Sequence, residues 1–160
     1  MKPVNDRQSA DIRQSITTLV VDDSPSFLHG FCHYLRTEAG TTIVATATTG
    51  FEAIDLVRRI RPKLVVMDFH LPGLRGDHAA AWIAEHFPEI HVLVVSSDRR
   101  PPISISTGRE TCAFMCKNDL LFEFSPLLAR WFPREHGRVA KPELPDRDCQ
   151  PPSAAKSVCG

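Results

Sequence analysis

Five short apolar segments, most of them followed by residues of helical periodicity, place the strongest constraint on how this chain of 160 residues can fold. The apolar segments are rich in β-branched residues and end at polar or turn-forming residues, which is typical of strands buried on both faces. Prolines and glycines end the helical stretches. The predicted strands are residues 16–21, 42–46, 64–67, 91–95 and 113–116. The predicted helices run from Ser24 or Ser26 to about residue 40 and over 51–60, 77–87 and 119–132, the last of them capped by Asp119.

Strands and helices in this alternation predict an α/β fold with a five-stranded parallel sheet in the order 2-1-3-4-5 and helices on both faces, which is the doubly wound, flavodoxin-like arrangement. One connection departs from the pattern. Residues 98–110 contain Pro101, Pro102, several β-branched residues and Gly108, all of which disfavour a helix. We therefore expect the fourth helix to be short or irregular.

The composition and charge of the chain predict one globular domain with polar ends. Residues 16–132 hold the periodic apolar pattern, whereas 1–15 is a polar leader and 133–160 is a Pro-, Arg- and Asp-rich tail, expected to be disordered. No apolar run approaches the roughly 20 residues of a membrane span, and the polar N-terminus does not resemble a secretory signal. Because the net charge is zero, we expect no direct binding to nucleic acid or to a membrane. Five cysteines without a CxxC pair predict reduced thiols and a cytoplasmic protein.

Polar side chains stand at the ends of four predicted strands. Asp22 and Asp23 follow the first strand, Asp68 the third, Ser96 the fourth and Lys117 the fifth. In an open parallel sheet these ends meet at one edge, where ligands bind. Crowded carboxylates repel one another unless a cation joins them, and Mg²⁺ prefers such oxygen ligands. With an ammonium and a hydroxyl available to neutralise phosphoryl oxygens, the set predicts phosphoryl transfer to a carboxylate nucleophile.

Each of these residues has a simpler interpretation when it is taken alone. The Asp-Asp-Ser-Pro run at 22–25 is compatible with a turn and a helix cap, Asp68 with a loop cap, and Lys117 with a solvated charge. The combination favours a functional site, because four strand ends would have to acquire compatible groups independently.

Four segments that contain these residues resemble the receiver domains of two-component response regulators, the family of the single-domain chemotaxis regulator. The resemblance covers residues 16–132. The matching segments are LVVDDSP at 19–25, VVMDFHLPGLRG at 65–76, VLVVSS at 92–97 and AFMCK at 113–117. Their order, their strand placement and their spacing all agree with the family.

The resemblance implies a role for each residue of the site. Asp68 is the phosphorylated residue, and Mg²⁺ is held by Asp22, Asp23, Asp68 and the backbone carbonyl of His70. Ser96 and Lys117 contact the phosphoryl group. Ser96 and Phe114 form the switch pair, although an aromatic residue such as Phe114 is also an ordinary core residue. The side chains at His70 and Asp98 influence how fast the phosphoryl group is lost.

The implied function is signalling and not enzymatic turnover. A sensor histidine kinase or a histidine phosphotransfer protein donates the phosphoryl group, and phosphorylation switches a protein-interaction surface. Pro72, Gly73 and the Asn-Asp pair after Lys117 resemble receivers that precede LuxR-type DNA-binding domains, but residues 133–160 are too short and too polar for a helix-turn-helix. We therefore expect a stand-alone regulator with an unidentified downstream protein partner. Homodimerisation is a further expectation, since the family commonly dimerises through its fourth helix, fifth strand and fifth helix.

Two alternatives belong to other classes. An adaptor that binds partners without phosphorylation would be favoured by loss of the acidic residues or the lysine, and none of them is lost. A haloacid-dehalogenase-type enzyme also uses a strand-end aspartate and Mg²⁺, but it requires a second aspartate two residues later. His70 occupies that position in this chain.

Overall fold

The computed structural model describes residues 15–37, 40–99 and 110–136, and these residues form an open five-stranded sheet. The order of its strands is β2-β1-β3-β4-β5, and every neighbouring pair is parallel. The predicted fold class is confirmed. The strands are β1 (Ile16–Val21), β2 (Thr41–Ala47), β3 (Leu64–Asp68), β4 (His91–Ser96) and β5 (Cys112–Cys116).

Helices connect β1 through β4 in turn and follow β5, and the predicted bounds of helices and strands differ from the observed ones by at most three residues. A 3₁₀ turn at Lys117–Asp119 lies between β5 and the helix after it. A short or irregular fourth helix is predicted in the segment 98–110. Residues 100–109 of that segment lie outside the described residues. The helices are α1 (Pro25–Thr37), α2 (Gly50–Ile60), α3 (Gly76–His86), α4 (Leu120–Trp131) and α5 (Pro133–His136).

Side-chain caps define where two helices begin. The Ser24 hydroxyl accepts a hydrogen bond from the Phe27 N–H at 3.4 Å, so that Ser24 and not Ser26 caps α1. The Thr49 hydroxyl accepts from the Glu52 N–H at 3.1 Å, while the Glu52 carboxylate accepts from the N–H of Thr48 at 2.9 Å. These bonds satisfy N–H groups that a helix start leaves without partners.

Asp119, predicted to cap the last helix, stands at the N-cap position of α4 but makes no capping hydrogen bond with its side chain. The physical reason is the 3₁₀ turn before the helix. Its hydrogen bond from the Leu120 N–H to the Lys117 carbonyl puts Asp119 in the helical region, at φ −96° and ψ −6°, instead of the extended conformation that a capping side chain requires.

The sheet is buried on both faces, which explains why its strands appear as continuous apolar runs. Neighbouring residues along a strand point to opposite faces, so Leu19 packs under α2 and α3 whereas Val20 packs under α1 and α4. Because both faces are covered, the polar residues at the strand ends are concentrated at the open carboxyl edge. Beneath α2 and α3 lie Val21, Val57, Val65, Met67, Ile83 and Val94, and beneath α1 and α4 lie Phe31, Leu35, Val66, Leu93, Phe124 and Leu128.

The chain continues beyond the last strand as α4 and the short helix α5. Glu135 of α5 forms an ion pair with Lys63, which precedes β3, at 3.3 Å. Residues 1–14 of the predicted leader and 137–160 of the predicted tail lie outside the described residues, whereas residues 133–136, which the sequence assigned to the disordered tail, form α5. The domain limits themselves stay predictions. Within the described parts of the chain, none of the helices combines the length and apolar character needed to cross a bilayer.

Candidate functional site

Three aspartates meet at the carboxyl edge of the sheet, where the strand order reverses between β1 and β3. Val21 pairs with Met67, so the residues that follow them, Asp22 and Asp68, are neighbours across the two strands. Carboxylate oxygens of Asp22, Asp23 and Asp68 all lie within 4.8 Å of one another. Asp22 is fully buried and Asp68 is 5% exposed, while Asp23 is open to solvent.

Lys117 bridges two of these carboxylates from the end of β5. Its Nζ lies 2.6 Å from Asp22 Oδ2 and 3.0 Å from Asp68 Oδ1. The second oxygen of each carboxylate accepts a hydrogen bond from a backbone N–H group. The Ser24 N–H donates to Asp22 Oδ1 at 2.8 Å, and the His70 N–H donates to Asp68 Oδ2 at 3.2 Å. Each of the two buried carboxylates therefore shares the Lys117 ammonium and accepts a backbone hydrogen bond, the kind of partners that buried carboxylates require.

The ionisation of Lys117 reflects this bridging position. Burial by itself lowers the pKa of its ammonium, but the hydrogen bonds to Asp22 and Asp68 and the charges of both carboxylates outweigh burial and raise the pKa above its ordinary value. Lys117 therefore carries a positive charge at neutral pH. The ring of Phe27 in α1 lies beneath it, with Nζ 4.1 Å from the ring centroid.

The donor set at this edge fits a hard divalent cation. All three side chains offer carboxylate oxygens, the ligands that Mg²⁺ prefers, and the exposed Asp23 leaves the group open to water, which Mg²⁺ retains in part. The residues predicted to hold the metal are thus brought together, with His70 directly beyond Phe69 on the loop after β3.

Ser96 stands at the same edge and is fully buried at the end of β4. Its Oγ accepts a hydrogen bond from the Asp98 N–H at 3.1 Å. Asp98 Oδ2 in turn lies 3.2 Å from His70 Nε2, and both of these side chains are exposed. The two residues expected to influence phosphoryl loss are therefore in direct contact, which the sequence did not reveal.

Phe114, the predicted aromatic switch, is partly buried on β5 and pairs with Val94. Its ring packs against the core beneath α2 and α3. This placement accommodates both interpretations of the residue, as a core side chain and as a switch.

The loop between β3 and α3 returns close to the end of β3 at Asp68. The Gly76 N–H donates to the Phe69 carbonyl at 3.0 Å. A Cβ atom at Gly76 would lie only 1.9 Å from the carbonyl oxygen of Asp68, so no other residue fits without displacing the backbone. Gly73 supplies the positive φ of 75° that the turn requires.

Sequence reasoning also missed two other features of the site. The ring of Phe27 beneath Lys117 was visible only as an apolar position of a helix. The ion pair between Arg75 and Asp77 on the loop after β3 had no signal beyond opposite charges two residues apart. Such contacts depend on side-chain directions, which neither periodicity nor spacing specifies.

Fold and site together define a doubly wound α/β domain with an acidic, metal-compatible pocket and a lysine at its topological switch point. A family model, the response regulator receiver domain, matches residues 18–109. The chain belongs to this family of receiver domains of two-component response regulators.

Curated relatives resemble this chain over about half of its length. A protein-glutamate methylesterase/protein-glutamine glutaminase of Nitrosospira multiformis is 40% identical over 82 residues, which cover 51% of this chain and 23% of the relative. The transcriptional activator protein ExaE of Pseudomonas putida is 36% identical over 78 residues, which cover 49% of this chain and 36% of ExaE. The matching segment thus spans well under half of each of these relatives.

Solved structures show the same fold. A LuxR-family two-component response regulator from Aurantimonas sp. SI85-9A1 superposes with a TM-score of 0.65 at 24% identity, covering 76% of this chain and 88% of the other. The response regulator domain of Thermotoga maritima CheB gives a TM-score of 0.60 at 22% identity, covering 79% of this chain and 99% of that domain.

Proposed function

We propose that this chain accepts a phosphoryl group on Asp68 from the phosphohistidine of a sensor histidine kinase or a histidine phosphotransfer protein, in a reaction that requires Mg²⁺. The observation that carries the proposal is the position of Asp68, which ends a buried strand beside two further carboxylates and within 3.0 Å of the Lys117 ammonium. This is the charge arrangement that phosphoryl transfer to a carboxylate needs.

In the proposed reaction an Asp68 carboxylate oxygen forms a bond to phosphorus while the phosphorus–nitrogen bond of the donor histidine breaks. The electron pair of that bond stays with the imidazole nitrogen. Lys117 then pairs with a phosphoryl oxygen, for which its raised pKa keeps it charged. The Ser96 hydroxyl already accepts a hydrogen bond from Asp98, so its own proton is available to donate to a second phosphoryl oxygen.

Asp22, Asp23, Asp68 and the backbone carbonyl of His70 would hold Mg²⁺. When bound, the cation neutralises charge that builds on the phosphoryl oxygens during transfer. The protein groups around it have separate tasks: the N–H groups of Ser24 and His70 orient the carboxylates of Asp22 and Asp68.

For the output we propose that this receiver domain works through protein contacts in the cytoplasm, with Ser96 and Phe114 as the switching pair. Leu121 and Phe122 on α4 are 66% and 77% exposed, and exposed apolar side chains of this kind are candidates for coverage by a partner protein or a second copy.

Intact-mass spectrometry after incubation with acetyl phosphate and Mg²⁺ tests the proposal. We expect the wild type to gain the mass of one phosphoryl group and to lose this adduct when Mg²⁺ is chelated. Asp68→Asn should gain none, whereas Asp55→Asn, which changes an exposed carboxylate on α2, should behave as the wild type. A wild type that never gains mass would favour the alternative, a phosphorylation-independent adaptor. An adduct on Asp68→Asn would show that another residue is the acceptor.

A further inference from the structure

A bidentate ion pair between Arg75 and Asp77 lies beside the site, on the loop between β3 and α3. The guanidinium of Arg75 donates two parallel hydrogen bonds to Asp77, from Nε to Oδ1 at 3.0 Å and from Nη2 to Oδ2 at 2.6 Å. The side chain of Asp77 is fully buried, whereas that of Arg75 is 44% exposed. Burial raises the pKa of the Asp77 carboxyl, but the hydrogen bonds and charge of Arg75 outweigh it and lower the pKa. The pair is therefore charged at neutral pH.

Neutralising the buried carboxylate of Asp77 would by itself explain this ion pair, but Arg75 also makes a second contact. Its Cζ lies over the ring of Phe69, 4.9 Å from the centroid. Phe69 is the residue between the phosphoacceptor Asp68 and His70. The two parallel hydrogen bonds to Asp77 fix the orientation of the Arg75 guanidinium plane. Phe69 therefore packs against a charged group that has little freedom to move.

The contacts continue from Phe69 around the rim of the site. The rings of Phe69 and His70 meet edge to face with centroids 4.8 Å apart, and His70 contacts Asp98. On the other side the Phe69 carbonyl is held by the N–H of Gly76. The backbone at 68–70 is thus constrained through the Phe69 side chain and through its carbonyl. The His70 carbonyl follows directly after this constrained segment.

We propose that Arg75 is a positioning residue: held by Asp77, it fixes the ring of Phe69 and thereby places the His70 backbone carbonyl for Mg²⁺. This inference rests on the proposed function, which makes that carbonyl a ligand. Groups that orient metal ligands without touching the metal typically contribute about 10- to 100-fold in affinity. Because Arg75 acts here through two intervening residues, we expect the lower end, about 10-fold.

The test is a Mg²⁺ titration of the isotope-labelled protein, with the His70 amide resonance as the readout of binding in the absence of any phosphodonor. Arg75→Ala should raise the Mg²⁺ dissociation constant about 10-fold. Arg75→Lys retains the charge but loses the two parallel hydrogen bonds, so it should restore only part of the affinity. Phe69→Leu keeps a buried apolar side chain but removes the ring beneath the guanidinium, and should weaken binding as Arg75→Ala does.

Arg58→Ala is the matched control. Arg58 also lies over an aromatic ring, with its Cζ 4.9 Å from the centroid of Trp82, but on the surface between α2 and α3. It should leave the dissociation constant unchanged. Dispersed amide spectra of each variant establish that it is folded, and Arg75→Lys gives a second, milder variant if Arg75→Ala is not.

Three outcomes would overturn the inference, and the first two separate it from the proposed function. If the wild type binds Mg²⁺ and is phosphorylated on Asp68, but folded Arg75→Ala and Phe69→Leu bind Mg²⁺ equally well, the Arg75–Asp77 pair merely neutralises a buried acid. If the wild type itself binds no Mg²⁺, both the inference and the proposed function are wrong. Equal weakening in Arg58→Ala would also refute a role specific to Arg75.

Discussion

Replacing Lys117 with methionine should destabilise the protein by about 3 kcal/mol in Mg²⁺-free solution. The change removes the ammonium that bridges Asp22 and Asp68 and leaves two buried carboxylates facing each other. The carboxylate oxygens of Asp22 and Asp68 lie at most 4.8 Å apart. At that distance the repulsion between two unit charges is roughly 3 kcal/mol with an effective dielectric constant of about 20. Breaking a buried pair by removing one partner typically costs about 3–5 kcal/mol, which agrees. We expect the lower value because the open site admits some water.

Urea unfolding, measured once with EDTA and once with saturating Mg²⁺, distinguishes this effect from lost packing. A divalent cation compensates the same carboxylates, so Mg²⁺ should recover most of the loss in Lys117→Met while stabilising the wild type less. Lys63→Met serves as the control. Its ion pair with Glu135 is longer, at 3.3 Å, and more exposed, so we expect a loss of about 1 kcal/mol or less that does not depend on Mg²⁺.

Charge compensation by Lys117 is refuted if Lys117→Met is as stable as the wild type in EDTA, or if its loss of stability is the same with and without Mg²⁺. Adding Asp22→Asn to Lys117→Met removes one of the two repelling charges and should recover part of the loss. A double variant that is less stable than Lys117→Met would show that charge repulsion does not cause the effect.

Two further substitutions test the fold around the site. Gly76→Ala brings a Cβ atom against the Asp68 carbonyl and should cost about 3 kcal/mol or more in urea unfolding, whereas Gly30→Ala, in open space in the middle of α1, should stabilise by about 0.5–1 kcal/mol. Equal effects of the two would contradict the clash. Burial lowers the pKa of His91 in the folded state. As the pH falls below about 6.5, the unfolded protein therefore binds a proton at this residue before the folded protein does, and the free energy of unfolding should decrease. His91→Phe should flatten this decline, by at most about 1.4 kcal/mol per pH unit, and an unchanged pH profile would refute the assignment.

The fold was predictable from the sequence because burial on both sheet faces leaves a direct record in the residue pattern. Val65, Val66 and Met67 point alternately to the two core layers, and all must be apolar. The convergence of Asp22, Asp68 and Lys117 was predictable for a related reason, since parallel strands end at a common edge.

The contacts within the site were not predictable in the same way. Lys117 lies 95 residues from Asp22 in sequence, and only the structure shows that its ammonium is shared between Asp22 and Asp68. Asp77 is an acidic residue in the first turn of a helix, a position that is ordinarily solvated and stabilised by the helix dipole. Nothing in its neighbours indicates that its carboxylate turns inward to Arg75. Asp119 was misjudged as a cap because a 3₁₀ turn cannot be distinguished by pattern from the first turn of an α-helix.

The charges of the site explain how events at Asp68 can reach the surface of α4. Three carboxylates against one ammonium leave two negative charges uncompensated, which is the charge that one divalent cation supplies. On the proposed function, a cation that compensated Asp22 would leave the ammonium of Lys117 free to pair with a phosphoryl group on Asp68. Lys117 also begins the 3₁₀ turn that leads into α4, on which Leu121 and Phe122 are exposed. On the proposed function, a displacement of Lys117 would therefore act directly on the start of the helix that carries this apolar surface.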